Sequence, residues 1–185
     1  MQTYLALLRG INVGPANRIK MDDLRRLFEQ VGCSRVETYI QSGNVLFDSP
    51  DSEAELVHKT EAVLLEGVGI RTNVVIRSAE ELRQTVANLP FSAEEIGVAV
   101  ARNTEGESLH VLFAAAPPKP EALTKVEKPG ESDDQFRVVG REAYLLLAQS
   151  IRNSKLAVRL QNALSPVTAR NWNTTLQLLE RLNAR

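Results

Sequence analysis

The order in which short apolar segments and amphipathic helices alternate most constrains the fold of this chain. In residues 1–77 the pattern predicts strand, helix, strand, strand, helix, strand. That order is the βαββαβ unit of a ferredoxin-like plait. Such a unit buries one face of its sheet against two helices, so we expect an α+β body over this stretch.

The same order of elements recurs in residues 108–185, followed by one more helix. Residues 78–107 lie between the two, begin with the helix-start pair Ser78 and Glu81, and are interpreted as a helical connector. The halves share the order of elements but no residue-level identity. The sequence therefore predicts an α+β protein of two tandem ferredoxin-like plaits, with extra connecting and C-terminal helices.

Composition and charge argue against several classes of protein. The 185 residues are 43% hydrophobic and 24% charged, as in an ordinary globular chain. The net charge of −1 gives no long-range attraction to nucleic acid or to a membrane, so neither is an expected partner, and no oligomeric state follows. Residues 136–185 carry eight basic and two acidic side chains, which favours an anionic ligand there unless acidic neighbours balance them.

The cysteine and the two histidines bear on location and on metal binding. One thiol, Cys33, cannot form an intramolecular disulfide, and the apolar run Tyr4–Leu8 is too short for a signal-peptide core. A cytoplasmic location is therefore expected. Cys33, His58 and His110 lack the spacing of metal ligands, and we predict no metal site and no cofactor.

The loop after the first strand is the first candidate site. It carries Gly10, Asn12 and Gly14, and Arg9 stands at the end of the strand. Backbone N–H groups ahead of a helix attract anions, and a guanidinium group can bind phosphate or carboxylate through two hydrogen bonds. Alternatively, the glycines serve turn geometry, Asn12 bonds to the loop's own backbone and Arg9 pairs with an acid.

The turn between the second and third strands is the second candidate. Ser42, Gly43 and Asn44 would offer a ligand a hydroxyl, a close backbone approach and an amide. The alternative is a turn without a ligand, because glycine supplies a positive φ and asparagine tolerates one.

The segment Thr168–Thr174, ahead of the last helix, is the third candidate. It holds more capping-type residues than one helix needs. In one interpretation it forms a pocket for an anion or a base, with Arg170 binding, Asn171 and Asn173 selecting, and Trp172 as a wall. In the other it is a polar plug between the two halves, with Trp172 in the core.

These motifs resemble one known family. The quoted stretches are LLRGINVG at 7–14, TYIQSGNV at 38–45, SKL at 154–156, and Thr168 with RNWNT at 170–174. They are similar to the mainly bacterial DUF1697 family, a domain of unknown function. The resemblance implies two ferredoxin-like plaits in one chain and brings no activity, substrate or catalytic residue. Pro15 and residues 149–153 depart from the family, whose members often have glycine there.

From these motifs we predict binding, with or without turnover, of a small anionic or phosphorylated ligand in the groove between the two plaits. The residues assigned to this site are Arg9, Gly10, Asn12, Gly14, Ser42, Asn44, Lys155, Arg170, Asn171, Trp172 and Asn173. No histidine lies in the motifs, so catalysis would rest on positioning and charge. The alternatives are a protein-interaction or regulatory module and, with only 5% aromatic residues, an RNA-binding protein.

Overall fold

The chain forms two compact units, each built around one antiparallel sheet. The computed structural model describes residues 1–15, 17–126, 128 and 130–185. Within them the protein is mixed α+β, with two four-stranded antiparallel sheets and seven helices. The first unit comprises Met1–Gln84 and Leu178–Arg185, and the second comprises Thr85–Gln177. None of the helices described is long and apolar enough to cross a membrane.

The first sheet has the strand order β2-β3-β1-β4, with every neighbouring pair antiparallel. The elements that build this part of the chain are β1 (Gln2–Leu8), α1 (Met21–Gln30), β2 (Ser34–Tyr39), β3 (Asn44–Ser49), α2 (Glu53–Val68), β4 (Val74–Ser78) and α3 (Ala79–Ala87). The predicted order of strands and helices is present. β4 begins only at Val74, because the N–H groups of Gly69 and Ile70 close the end of α2 on Leu65 and Leu64.

Helix starts in the first unit follow local side-chain chemistry. A capping box of Ser52 and Glu55 opens α2, where each side chain bonds to the other residue's backbone N–H. Ser78 and Glu81 make the same reciprocal bonds at the start of α3. α1 differs, because it begins after Lys20 and has no side-chain cap.

The core of the first unit lies between the sheet and the helices α1 and α2. Alternate residues of the strands face the helices, and the buried members of this cluster include Tyr4, Ala6, Leu8, Val45, Phe47, Ile76, Leu24, Phe28, Leu56 and Leu64. The remaining strand residues face the opposite side and are buried as well: Leu5, Leu7 and Leu46 are 0% exposed. Both faces of this sheet are therefore covered.

The second sheet has the strand order β6-β7-β5-β8, again with antiparallel neighbours. The elements here are α4 (Ala93–Arg102), β5 (Leu109–Ala114), α5 (Pro120–Thr124), β6 (Gln135–Val139), β7 (Glu142–Leu146), α6 (Lys155–Ala163), β8 (Val167–Asn171) and α7 (Trp172–Asn183). Its core packs β5, β7 and β8 against α6, through Leu112, Ala114, Leu145, Val167, Leu156 and Leu160 among others. On the opposite face Val111, Phe113 and Tyr144 are at most 1% exposed.

The structure extends the predictions for the second unit in two places. α4 is a separate helix with its own capping box of Ser92 and Glu95, in the stretch predicted only as a helical connector. β8 runs on through Asn171, so the first four residues of the segment Thr168–Thr174 form a strand instead of a loop. Pairing with β5, from Ala114 opposite Val167 to His110 opposite Asn171, imposes the strand on this polar sequence.

The last residues of the chain pack on the sheet face of the first unit that α1 and α2 leave uncovered. Arg181 forms an ion pair with Glu37 and stacks over the ring of Tyr39, with its guanidinium carbon 4.4 Å from the ring centroid. The side chain of Arg185 is only 9% exposed and lies 3.8 Å from the carboxylate of Asp48. The end of α7 therefore belongs to the first unit.

Candidate functional site

Asn12 holds the first loop closed. Its Nδ2 donates to the carbonyl oxygens of Ile19 and Gln41, both at 3.0 Å, and its Oδ1 accepts from the N–H of Ile19 at 2.9 Å. Its own backbone N–H donates to Asn17 at 3.0 Å, and its φ is +55°. The side chain thus ties the loop to the turn after β2, and its amide is engaged within the protein. Ala16 of this loop lies outside the described residues.

Arg9 is anchored through its backbone and keeps its guanidinium available. Its N–H donates to the carbonyl oxygen of Asn73 at 3.1 Å, and its carbonyl oxygen accepts from the hydroxyl of Thr72 at 2.6 Å. The half-buried guanidinium forms no ion pair or hydrogen bond with any residue that the structure describes. Gly10 and Gly14, which follow, have φ values of +64° and +68° and serve turn geometry.

Packing builds the turn of Ser42, Gly43 and Asn44. Asn44 is completely buried, and its Nδ2 donates to the carbonyl oxygen of Tyr39 at 3.1 Å and to Ser42 Oγ at 2.9 Å. The carbonyl oxygen of Gly43 accepts from the N–H of Leu8 at 2.8 Å. The turn is therefore joined to the end of β1, directly beside the first loop.

A cleft of about 650 Å³ opens at the N-terminus of α1. Its walls are Asn12, Arg18, Ile19, Lys20, Met21, Asp22, Asp23, Gln41 and Val68. This volume lies in the range of roughly 300–1,000 Å³ that is typical of small-molecule sites. The cleft therefore adjoins two of the three motifs that the sequence analysis selected.

The charges that line this cleft are of both signs, but only the acids are paired. Asp22 lies 3.2 Å from Arg25, and Asp23 lies 3.3 Å from Arg26. Arg18 and Lys20 are exposed, and neither forms an ion pair with a described residue. The cleft therefore has two cations that are available to a ligand.

The helix end that forms one wall of the cleft has no side-chain cap. Lys20 stands at the N-cap of α1, whereas serines 52, 92 and 154 cap α2, α4 and α6. The first N–H groups of α1 therefore lack the acceptor that a Ser, Thr, Asp or Asn side chain would give. Arg18 and Lys20 are not among the site residues predicted from the sequence. The signal for them is a lysine at the position before Met21, where a capping residue is expected.

A second cleft, of about 580 Å³, lies along α2 beside the start of β4. It is lined by His58, Glu61, Ala62, Leu65, Arg71, Thr72 and Asn73. Glu61 uses one carboxylate oxygen to accept from the N–H of Val74 at 2.9 Å. Arg71 is exposed and has no ion-pair partner in the described part of the chain. Arg71 lies next to Thr72, which bonds to Arg9, so further cations accumulate at this end of the sheet.

In the second unit Arg170 is a buried residue. It is 8% exposed, and its Nη1 donates to Thr168 Oγ1 and to the carbonyl oxygen of Ala169, both at 2.8 Å. Burial lowers the pKa of this guanidinium to about 10, which still leaves it protonated at neutral pH. The buried guanidinium is thus held by groups of its own strand.

The remaining residues of the third motif surround the start of α7. Asn171 Oδ1 accepts from the N–H of Thr174 at 2.8 Å, so Asn171 provides the cap of this helix. Asn173 donates to Glu107 Oε1 at 2.7 Å, and Trp172 is half-buried. Lys155 is the exposed first residue of α6.

Asp134 organises the segment that leads into α6. It accepts from the N–H of Ala148 at 3.0 Å, from Gln149 Nε2 at 2.7 Å and from Ser154 Oγ at 2.7 Å. Ser154 in turn caps α6 by accepting from the N–H of Ala157. Polar side-chain bonds thus shape the stretch 149–153 ahead of α6.

The cysteine and the two histidines lie at three separate places in the chain. Cys33 is 6% exposed, and burial raises its pKa to about 11, so the thiol stays protonated at neutral pH. His58 is exposed on α2, and His110 is buried in β5. The described residues contain no group of three or more His, Cys, Asp or Glu side chains that could hold a metal ion.

The structure gathers the candidate residues separately within each unit. Those of the first unit lie at the sheet end where β1 stops and β3 and β4 begin: Arg9, Gly10, Asn12, Gly14, Ser42 and Asn44. Those of the second lie around the end of β8 and the starts of α6 and α7: Lys155, Arg170, Asn171, Trp172 and Asn173.

Comparison with known proteins gives a family and a fold. The model of the family described as "Protein of unknown function (DUF1697)" matches residues 1–144. A similar solved structure is described as that of conserved bacterial protein SP0830 from Streptococcus pneumoniae. It has 26% sequence identity and a TM-score of 0.76, and the alignment covers 99% of each chain. No curated protein matches the sequence.

Proposed function

The chain belongs to the DUF1697 family of proteins of unknown function, and from this premise we propose that the cleft at the N-terminus of α1 binds a small anionic or phosphorylated ligand. One observation carries the proposal. A helix end without a side-chain cap and two unpaired cations, Arg18 and Lys20, line the same cleft.

The electrostatics of the cleft favour an anion. The N-terminus of a helix carries roughly half a positive charge, and its N–H groups point along the helix axis toward a ligand. Arg18 and Lys20 add two full charges within the same walls. Asp22 and Asp23 oppose this field, but Arg25 and Arg26 on the next turn neutralise them. The remaining net charge of the cleft is positive.

Residues of the first-unit motifs support this site by shaping it. Asn12 closes the loop that carries Arg18 and joins it to Gln41, another cleft residue. Arg9 and Arg71 extend the positive surface at the same end of the sheet and would attract a larger phosphorylated ligand. Lys155 and Arg170–Asn173 are not needed for binding in this cleft.

The alternatives find less support. RNA-binding plaits use an open sheet with exposed aromatic side chains, whereas strand residues such as Leu5, Leu46 and Val111 are 0% exposed. An interaction module using an apolar sheet face would need the same exposure. Neither alternative has an observation of its own in its favour.

We also propose that each unit is a ferredoxin-like plait and that the protein is cytoplasmic. The element order βαββαβ and the strand orders β2-β3-β1-β4 and β6-β7-β5-β8 support the fold. The location rests on the expectation from the sequence, and cell fractionation would test it.

A thermal-shift titration tests the anion site. The probes are inorganic phosphate, pyrophosphate and a sugar phosphate, at near-physiological salt. A ligand at 100 times its dissociation constant stabilises the native state by about 2.7 kcal/mol, which is roughly a 5–10 °C rise in Tm for a chain of this size. We expect such a rise with at least one probe.

The double variant Arg18→Ala, Lys20→Ala should lose most of this rise. Its matched control is the double variant Lys119→Ala, Lys125→Ala, which also removes two positive charges, but from exposed positions of the second unit. Equal shifts in the two double variants, or no shift with any probe, would overturn the proposal.

A further inference from the structure

Two buried side chains at the start of β5 have polar atoms without a hydrogen-bond partner. Ser108 is 3% exposed and His110 is 7% exposed. Ser108 Oγ and His110 Nδ1 have no partner among the described residues. An unsatisfied buried polar group costs about 1–3 kcal/mol, and native proteins rarely keep one without a reason. Two of them so close along the chain indicate a partner outside the residues that the structure describes.

Both side chains lie on the sheet face that α6 covers. Leu112 and Ala114 continue the alternation from His110 along β5, and both belong to the core that packs against α6. In the neighbouring strands, His110 lies opposite Leu145 on one side and Asn171 on the other. Ser108, His110 and Asn171 therefore share one face at one end of the sheet.

From the chain topology we infer that the N-terminus of α6 lies toward that same end. β8 runs antiparallel to β5, so Val167 lies opposite Ala114 and Asn171 lies opposite His110. α6 ends at Ala163, four residues before Val167, which puts its C-terminus near Ala114 and its N-terminus toward His110. The N–H of Leu147 donates to the carbonyl oxygen of Ser108 at 2.8 Å. From Leu147 the chain continues into the segment that precedes α6.

We propose that Ser108, His110 and Asn171, beneath the first turn of α6, form a second binding site, and that it takes a small oxyanion such as a carboxylate or phosphate group. Ser108 contributes a hydroxyl donor. Asn171 uses its Oδ1 to cap α7, while its Nδ2 donates to none of the described residues. Lys155, the first residue of α6, adds a positive charge beside the helix end that Ser154 caps.

His110 suits this site as a neutral donor. Burial lowers the pKa of its imidazole, and this outweighs the opposing effects of Glu107 and of a hydrogen bond between the ring and the Ser108 backbone, so the ring is neutral at neutral pH. A neutral imidazole can place N–H on Nδ1 and bond an oxyanion without adding a buried charge. Glu107 itself is exposed and accepts from Asn173 at 2.7 Å. Because Ser108 Oγ and His110 Nδ1 do not bond to each other, they do not form an activated nucleophile pair.

This site is independent of the cleft at α1. The two share no residue and lie in different units. Failure of one proposal therefore leaves the other standing.

Imidazole NMR tests the site directly, because the chain has only two histidines. In wild-type protein at constant pH and ionic strength, the ¹⁵N signals of His110 are followed during titration with acetate and with inorganic phosphate. Exposed His58 is the internal control. We expect a saturable shift of His110 Nδ1 with a constant His58 signal. The shift should also persist in the double variant Arg18→Ala, Lys20→Ala.

A second measurement ties the shift to the proposed residues. Ser108→Ala should weaken the affinity read from the His110 signal by at least about tenfold, which is roughly 1.4 kcal/mol. If the variant does not fold, the wild-type titration alone decides. Absence of a saturable His110 shift would overturn the proposal and leave buried water as the partner of these atoms. Equal movement of both histidine signals would also overturn it.

Discussion

Arg77 and Arg170 occupy equivalent positions in the two sheets. Each is the penultimate residue of its strand, lies opposite an apolar residue of the central strand (Leu5 for one, Val111 for the other), and precedes a helix. Each donates from Nη1 to the carbonyl oxygen of the residue before it, at 2.8 Å. They are 0% and 8% exposed. The two halves thus repeat a buried arginine as well as an order of elements.

Removal of either buried arginine should destabilise the protein. Arg77→Ala or Arg170→Ala leaves a cavity and frees a buried carbonyl oxygen, and we expect a loss of about 2–4 kcal/mol in the free energy of unfolding. Urea denaturation measures it. Arg83→Ala, which removes an exposed arginine paired with Glu80, should cost no more than about 0.5 kcal/mol. Similar midpoints for all three variants would contradict this prediction.

Replacing Gly43 and Gly14 by alanine separates the effect of packing on stability from the effect of backbone conformation. Both have a positive φ, +74° and +68°. A Cβ on Gly43 would lie 2.9 Å from Leu8 Cβ and 3.0 Å from Ile11 Cγ1, whereas one on Gly14 would meet no heavy atom within 4 Å. Gly14→Ala should cost about 1–2 kcal/mol from backbone strain alone, and Gly43→Ala about 1–3 kcal/mol more. Chemical denaturation gives both values, and equal losses would rule out the packing contribution.

Loss of the Asn12 side chain should open the first loop. Asn12→Ala removes three hydrogen bonds to the backbone of Ile19 and Gln41 and must keep a φ of +55°. Asn12→Gly removes the same bonds without the backbone strain. Both variants should increase amide hydrogen exchange at Ile19, with Asn12→Ala about 1 kcal/mol less stable than Asn12→Gly. Unchanged protection at Ile19 would show that other contacts hold the loop.

Glu95 should make the second unit sensitive to acid. Hydrogen bonds from Arg137 and from the backbone N–H of Ser92 lower the pKa of Glu95 from 4.5 to about 2. A carboxyl whose pKa is lower in the folded state stabilises the protein above its unfolded pKa, and this stabilisation disappears as the pH falls through the folded value. The contribution is therefore complete above about pH 4.5 and lost toward pH 2.

The variant Glu95→Gln isolates this effect, because glutamine can still accept the N–H of Ser92. Its stability relative to wild type should be lowest near pH 6, and the difference should shrink as the pH falls to 2. Urea midpoints across that range measure it. Glu94→Gln, one residue earlier in the same turn, is the control. A difference that does not depend on pH would refute the assigned role of Arg137.

The sequence by itself determined the elements whose causes are local. Ser52 with Glu55 and Ser78 with Glu81 fix helix starts through bonds made within four residues. The continuous apolar run Tyr4–Leu8 indicates a strand that is buried on both faces. The candidate residues of the first unit could also be chosen, since glycine, asparagine and arginine cluster in one loop. Their roles could not, because whether Asn12 binds a ligand or the backbone depends on residues 29 positions away.

Only the tertiary structure decided the rest. The polar stretch Thr168–Asn171 has the composition of a loop and becomes a strand because β5 supplies hydrogen-bond partners more than fifty residues away in sequence. That pairing buries Arg170 and brings Asn171 opposite His110. Arg18 and Lys20 become candidate binding residues only because they line the cleft at α1, whose walls come from separate parts of the chain. The periodicity of apolar residues indicates the local preference for helix or strand. The burial of a side chain and the convergence of site residues depend on contacts between residues that are distant in sequence.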